Sequence, residues 1–400
     1  MTIDSAADEH VVHEAFGPPL SPIEGAASIA MGVVGLLAGG LLAVLLGALS
    51  EEHRLSAGGI GLSAMAEALC MAATTGAASA LLKPRNLRWI GAGSALALML
   101  ANLLAIRVQT DGAVIGIRAL TGVPEGLLLW ITISMIARTQ TPERWAAVLF
   151  TALTASQLAA STAFAAIVIP RFGANGALEL LAGVGLLGAI IAPRLPPRLA
   201  DFPKADGQSG APPPRGLIAL LATLFYVAAA AAVGIYLVPL AREAGLPAGV
   251  ARTATAFSLG GQVLAGALAT AIAGRVGWLT VFIAAASAYL TVFVIFGLSA
   301  PAWLFIAANT VAGMSGILVG AFLVPMTIEA DPSRRAAVQS GAVQLLGAAI
   351  GPLIASRMVG EHDVRAALYL GASLLIVGTG ILIGLHMTRR AVTPPQAAAT

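Results

Sequence analysis

Apolar stretches of similar length alternate with short charged, proline-rich or glycine-rich breaks from residue 26 to residue 388. They fall at 26–50, 58–82, 89–107, 113–137, 145–169 and 176–193, then at 216–241, 250–273, 278–299, 302–328, 336–358 and 365–388. A helix of about 20 apolar residues crosses a bilayer core, so the pattern predicts twelve transmembrane helices joined by short loops. The longest internal break, 194–215, is rich in proline and charge and reads as an aqueous linker. The predicted architecture is an all-α integral membrane fold of two six-helix bundles, 26–193 and 216–388, with aqueous tails at 1–25 and 389–400.

Composition supports lipid as the solvent. The 400 residues are 58% hydrophobic and 10% charged, against about 25% charged in a typical soluble domain, and the mean hydropathy is +0.90. A net charge of +3 and the lack of a basic run interleaved with aromatics give nucleic-acid binding no support. Metal and nucleotide motifs are missing, so neither a metal nor a cofactor is expected. The single cysteine, Cys70, cannot form an internal disulfide. Residues 1–25 hold no Lys or Arg and five acids, unlike the positive start of a signal peptide. With both termini in the cytoplasm, fourteen Lys and Arg fall on the inner side and seven on the outer side, which is the positive-inside bias. Short loops, the absence of N-x-S/T and a preference for Arg over Lys place the chain in a bacterial inner membrane.

The two halves repeat at an offset of 190 residues. Pro142-Glu-Arg144-Trp-Ala-Ala-Val148 matches Pro332-Ser-Arg334-Arg-Ala-Ala-Val338, and Gly76, Arg85 and Gly126 meet Gly266, Arg275 and Gly316. Parallel six-helix repeats build transporters with a site between two bundles.

On these features the chain resembles the major facilitator superfamily over residues 26–388. The family loop G-x-x-x-D-R-x-G-R-R corresponds to Gly76…Lys83-Pro84-Arg85-Asn86-Leu87-Arg88, which keeps basic residues and lacks the Asp; the second copy, Gly274-Arg275-Val276-Gly277, lacks it too. The resemblance implies that Lys83, Arg85, Arg88 and Arg275 belong to a cytoplasmic gate, although positive-inside anchoring accounts for them equally. Arg118-Ala-Leu-Thr-Gly122 fits the family string R-x-x-x-G, whose Arg is associated with proton coupling. The antiporter string G-x-x-x-G-P is missing from the fifth span and occurs instead at Gly347–Pro352 in the eleventh. The resemblance therefore implies alternating-access transport, with symport preferred to antiport.

Charge inside the membrane is costly, about 2.5–3.5 kcal/mol per residue on insertion scales, so each instance needs a partner or a cavity. Arg118 and Glu125 are seven apart on the fourth span and share a face with Gly122. Burial disfavours the charge of Glu125 while Arg118 favours it, which suits a proton-exchanging group; the alternative is a structural ion pair. At offset 190 the partners are Ala308 and Ser315, so the charge belongs to one bundle. Glu67, a further proton-coupling candidate, lies on a stripe with Ser63, Cys70 and Thr74 that faces a cavity or another helix; the alternative is an interhelical hydrogen bond. Glu179, near the start of the sixth span, reaches the interface. Candidate substrate contacts are Arg118 and, each equally able to make a packing hydrogen bond, Gln157, Tyr226, Gln262, Asn309 and Gln344.

The expected function is proton-coupled transport of a small organic solute, with Arg118 favouring an organic anion. Efflux of drugs or metabolites is the second reading, and a non-transporting receptor or assembly protein the third. A membrane enzyme is disfavoured because the five His are scattered. The partners expected are solute, protons and lipid, with the chain acting as a monomer.

Overall fold

The structure is a computed structural model that describes residues 20–200, 211–359 and 364–388. The tails expected at 1–25 and 389–400, and the middle of the expected linker, lie largely or wholly outside those residues. The first bundle holds α1 (Pro22–Glu51), α2 (Ala57–Leu81), α3 (Leu87–Ala105), α4 (Asp111–Ile136), α5 (Pro142–Ala163) and α6 (Ile169–Ile191). The second holds α7 (Pro214–Gly234), α8 (Ala248–Ile272), α9 (Trp278–Gly297), α10 (Ala302–Ala330), α11 (Arg335–Met358) and α12 (Arg365–Met387). No β-strand occurs among the described residues. The fold class read from the hydrophobic pattern is the one observed.

Among the described residues, eleven helical runs are long and apolar enough to cross a membrane. One of them, Pro142–Arg194, has 53 residues. At 1.5 Å per residue that is about 80 Å, far more than one crossing needs. It is two spans, α5 and α6, joined by the π-helical turn Phe164–Val168 and broken at Gly173, whose φ of 66° and ψ of −163° are not helical. The Glu52 carboxylate caps the break, accepting from the Ala174 amide at 2.7 Å.

Local chemistry sets several helix ends. Ser21 and Glu24 form a capping box at α1, with Pro22 in the first turn; this moves the helix start from the expected 26 back to Pro22. Ser56 caps α2 through Gly59 N at 2.9 Å. Its own amide and hydroxyl bond the Asp111 carboxylate at 2.7 and 2.6 Å, tying the starts of α2 and α4 together. The expected seventh span, 216–241, ends early: α7 stops at Gly234, and a separate short helix, Leu237–Glu243, follows.

The bundles touch from mid-span to the end that carries the linker. There Gly76 faces Ala342, Gly266 faces Thr151, Gly320 faces the Phe150 ring and Gly341 faces Ile133. Ser79 donates across the seam to the Val338 carbonyl at 3.1 Å. Toward the opposite end of α1, α7 and α8, Gly39, Gly47, Gly234, Gly249 and Gly260 have nothing within 4 Å of an added Cβ. The structure is closed at the linker end.

Candidate functional site

The charges inside the spans gather between α2 and α4. Arg118 Nε donates to Glu67 Oε2 at 2.8 Å, and Nη2 donates to Glu67 Oε1, a bidentate pair. Glu125 stands beside it, near enough for the charges of Glu67 and Arg118 to act on it. Arg118, Glu67 and Glu125 are 1%, 3% and 2% exposed, so no face of the cluster opens to water. Arg118 Nη1 and Glu125 Oε1 are buried and have no hydrogen-bond partner.

This corrects the expected Arg118–Glu125 pairing. The guanidinium reaches across to α2 because glycine lets the helices touch. A Cβ on Gly122 would lie 2.3 Å from the Glu67 carbonyl oxygen, and one on Gly126 would lie 2.7 Å from the Met71 carbonyl. Thr75 reinforces the crossing by donating to the Gly126 carbonyl at 3.0 Å. The Ser63–Glu67–Cys70–Thr74 stripe thus faces another helix. Pro124 lacks the amide that would close a helical bond just before Glu125. In the second bundle the equivalent crossing of α8 and α10 carries a neutral bond, Asn309 Nδ2 to the Ala254 carbonyl at 3.0 Å.

The other candidates separate. Gln157 Nε2 donates to the Leu36 carbonyl at 3.1 Å. Gln262 makes a long contact with Ser258 Oγ at 3.5 Å. Gln344 is half-buried and makes no hydrogen bond among the described residues. Tyr226 is turned away from the other bundle: it is buried, and its hydroxyl donates to the Phe282 carbonyl of α9. Arg118, sealed against Glu67, presents no face to a substrate in this state.

The expected gate residues make separate contacts at the linker end. Arg88 Nε donates to the Leu195 carbonyl at 2.7 Å, Leu199 N donates to the Pro84 carbonyl at 2.9 Å, and Arg85 pairs with Arg198 in a backbone bridge. These contacts hold the start of the linker against the α2–α3 loop. Lys83 is exposed, and Arg275 bonds the Ala271 carbonyl of its own helix at 3.3 Å. A cation that does cross the seam is Arg334, which the sequence offered only as part of the repeat and of the inner-side charge. Its Nη1 donates to the Ala137 and Thr139 carbonyls, at 2.6 and 3.0 Å, at the end of α4. The buried Asp331 accepts from Ala336 N at 2.8 Å and Ser333 N at 3.0 Å, fixing the turn in which Arg334 adopts φ 60°. The repeated P-x-R string pointed there. A further arginine, Arg54, is buried near an open cleft of about 420 Å³ at the opposite end, lined also by Ser50, His53, Ser56 and Asp111. Its guanidinium is spent on the Ala105 and Val108 carbonyls and on Asn175.

No family model and no curated protein matches the sequence. Solved structures do. The chain superposes on the human organic anion transporter MFSD10 (TETRAN) with TM-score 0.69 and 16% identity, covering 91% of this chain and 100% of that one. It superposes on the major facilitator superfamily transporter FucP in the outward conformation with TM-score 0.70 and 13% identity, covering 90% and 98%. A variant of the E. coli fucose:proton symporter FucP gives 0.68 and 14%, covering 91% and 98%. The chain therefore has the major facilitator superfamily fold.

Proposed function

We propose that this chain is a secondary active transporter that moves a small organic solute across the bacterial inner membrane by alternating access, coupled to protons in symport. The observation that carries the coupling is the sealed cluster of one guanidinium and two carboxyls on α2 and α4. One guanidinium against two carboxyls leaves room for one proton: with it the cluster is neutral, and without it the cluster carries a net negative charge in a low-dielectric interior, which is costly. Taking up and releasing that proton changes how strongly α4 is held to α2. The fold supports the transport reading: two six-helix bundles meet at one end, an arrangement that alternating access uses. The neighbour named as a fucose:proton symporter supports proton symport. With both termini cytoplasmic, as the charge bias favours, the closed linker end is the cytoplasmic end. The organic-anion reading keeps the support of the neighbour named as an organic anion transporter, but loses Arg118, which Glu67 already neutralises.

The test is proton movement in proteoliposomes carrying a trapped pH dye, with solutes added singly outside. A transported solute should acidify the lumen in wild type. Glu125→Gln should still bind the solute but move no protons. Alkalinisation would point to antiport and efflux. Solute-driven acidification that survives in Glu125→Gln would remove the cluster from coupling.

A further inference from the structure

We infer that the carried solute is uncharged and is held by the carboxamides of Gln262 and Gln344, with Gln157 at the α1 edge of the same space between the bundles. The inference rests on reading the chain as a transporter and concerns the substrate class of that same central space.

The contacts on each helix fix the direction of its glutamine. On α11, Gly341 and Leu345 face the first bundle, against Ile133, Leu129 and Leu36, while Gly347 and Gly351 pack on the backbone of α7. At 100° per residue Gln344 falls in the wedge between these two faces, and Ala348, one turn further from the linker end, is exposed. On α8, Gly261 and Ser258 face α10 and Gly266 faces Thr151 of α5, so Gln262 falls in the wedge between α10 and the first bundle. On α5, Leu149 faces α1 while Phe150 and Thr151 face the second bundle, and Gln157 lies at the α1 edge of that boundary, its carboxamide against Gly40 of α1. All three sit just beyond the contacts that close the linker end. By helical rise they are roughly 3–9 Å from Ala342, Gly266 and Thr151.

Their hydrogen-bonding capacity is largely unspent. Gln344 has no partner among the described residues, Gln262 has one long contact, and Gln157 uses one N–H. A carboxamide offers two donors and an acceptor with two lone pairs, which suits hydroxyl or amide groups. The facing helices carry no countercharge. Residues 145–163 of α5, 253–272 of α8 and 336–356 of α11 contain no Asp, Glu, Lys or Arg, nor do 25–50 of α1, 216–234 of α7 and 303–328 of α10. The charges of α2 and α4 are sealed between those two helices. An ion entering this space would lose water with nothing of opposite sign to replace it. A neutral polyhydroxy or amide solute meets no such cost.

The test is thermal unfolding of the purified full chain in detergent with matched solutes: glucose, gluconate and glucosamine; mannitol and mannonate; nicotinamide and nicotinate. A neutral member should raise Tm in a saturable way, as binding to the folded state requires, while its charged partners should not. Gln262→Leu and Gln344→Leu should each weaken that ligand about 3–10-fold, the worth of one hydrogen bond, without lowering the ligand-free Tm. A set in which no neutral member shifts Tm, or in which the anions or cations shift it as much, overturns the inference, as do unchanged affinities in both variants. The transport reading fails separately: a neutral ligand that binds but does not enter proteoliposomes sinks transport and leaves the substrate class standing. A charged solute that enters keeps transport and removes the class.

Discussion

Arg118 shows how one residue's cost is met. A guanidinium at 1% exposure is tolerable only with a bidentate carboxylate, and Glu67 supplies it. Removing one partner of such a pair leaves an uncompensated charge and costs about 3–5 kcal/mol, whereas replacing both with apolar residues of similar volume is near neutral or stabilising. Arg118→Met should therefore lower Tm sharply, and adding Glu67→Leu should restore most of the loss. A double variant no better than the single one would show that the pair is not the stability term. Glu125→Gln should leave Tm within a few degrees of wild type, since it removes no ion-pair partner. That these residues matter was legible in the sequence, because charge in a span demands explanation. Which carboxylate takes the arginine was not, since Glu67 lies on another helix and only the approach of α2 to α4 selects it over the nearer Glu125.

That approach is a property of elements. Gly122 and Gly126 let the α2 backbone come against α4 at distances a Cβ would forbid, the small-residue packing used by helices in lipid. The obstacle to a side chain at Gly122 is the backbone oxygen of Glu67, which cannot rotate away. Gly122→Ala should force the crossing apart at about 1–3 kcal/mol, as overpacking does, and weaken the buried pair with it. Gly116→Ala, on the same helix with nothing within 4 Å, is the control and should be neutral in thermal unfolding. Equal losses in both would place the cost in the helix backbone rather than the crossing. Helix ends show a second regularity. Arg54 bonds terminal carbonyls of α3, Arg215 the Leu385 and Thr388 carbonyls at the end of α12, and Arg334 those beyond α4. A forked cation complements the negative end of a helix and satisfies several orphan carbonyls at once. This gives a physical use for a chain with two Lys and 20 Arg. The hydrophobic pattern gave most spans within a few residues, but α6 begins at Ile169 rather than 176 and α7 ends at Gly234 rather than 241. It missed the Ser21–Glu24 box, because that helix start lies in a polar stretch ahead of the apolar run, and the break after Gly234, because hydropathy does not change there.

At the scale of the whole molecule the two bundles hold six spans each and differ in where they carry charge. One carries the charged cluster on α2 and α4, and the other supplies the cation that closes the linker end. Arg334 holds α4, the helix of Arg118 and Glu125, so the closure and the cluster share one rigid element. Partial burial draws the Arg334 guanidinium below its ordinary pKa, yet it remains charged at any physiological pH, so the contact is governed by movement of α4 rather than by titration of the arginine. A hydrogen bond from a charged group contributes about 1.5–3 kcal/mol, enough to shift a two-state balance by about ten-fold or more. The Glu143 carboxylate lies 3.9 Å from the position of a Cβ on Gly274, so a spin label at Glu143 and one at Arg275 report separation of the bundles at this end. In a Cys70→Ser background with Glu143→Cys and Arg275→Cys, the distance distribution should be mainly short. Arg334→Ala should add a longer component. Arg334→Lys should fall between them, because an ammonium keeps the charge at the helix end but lacks the fork. A distribution unchanged in Arg334→Ala would mean that the glycine contacts alone close this end, and would uncouple the latch from the charged helix it grips.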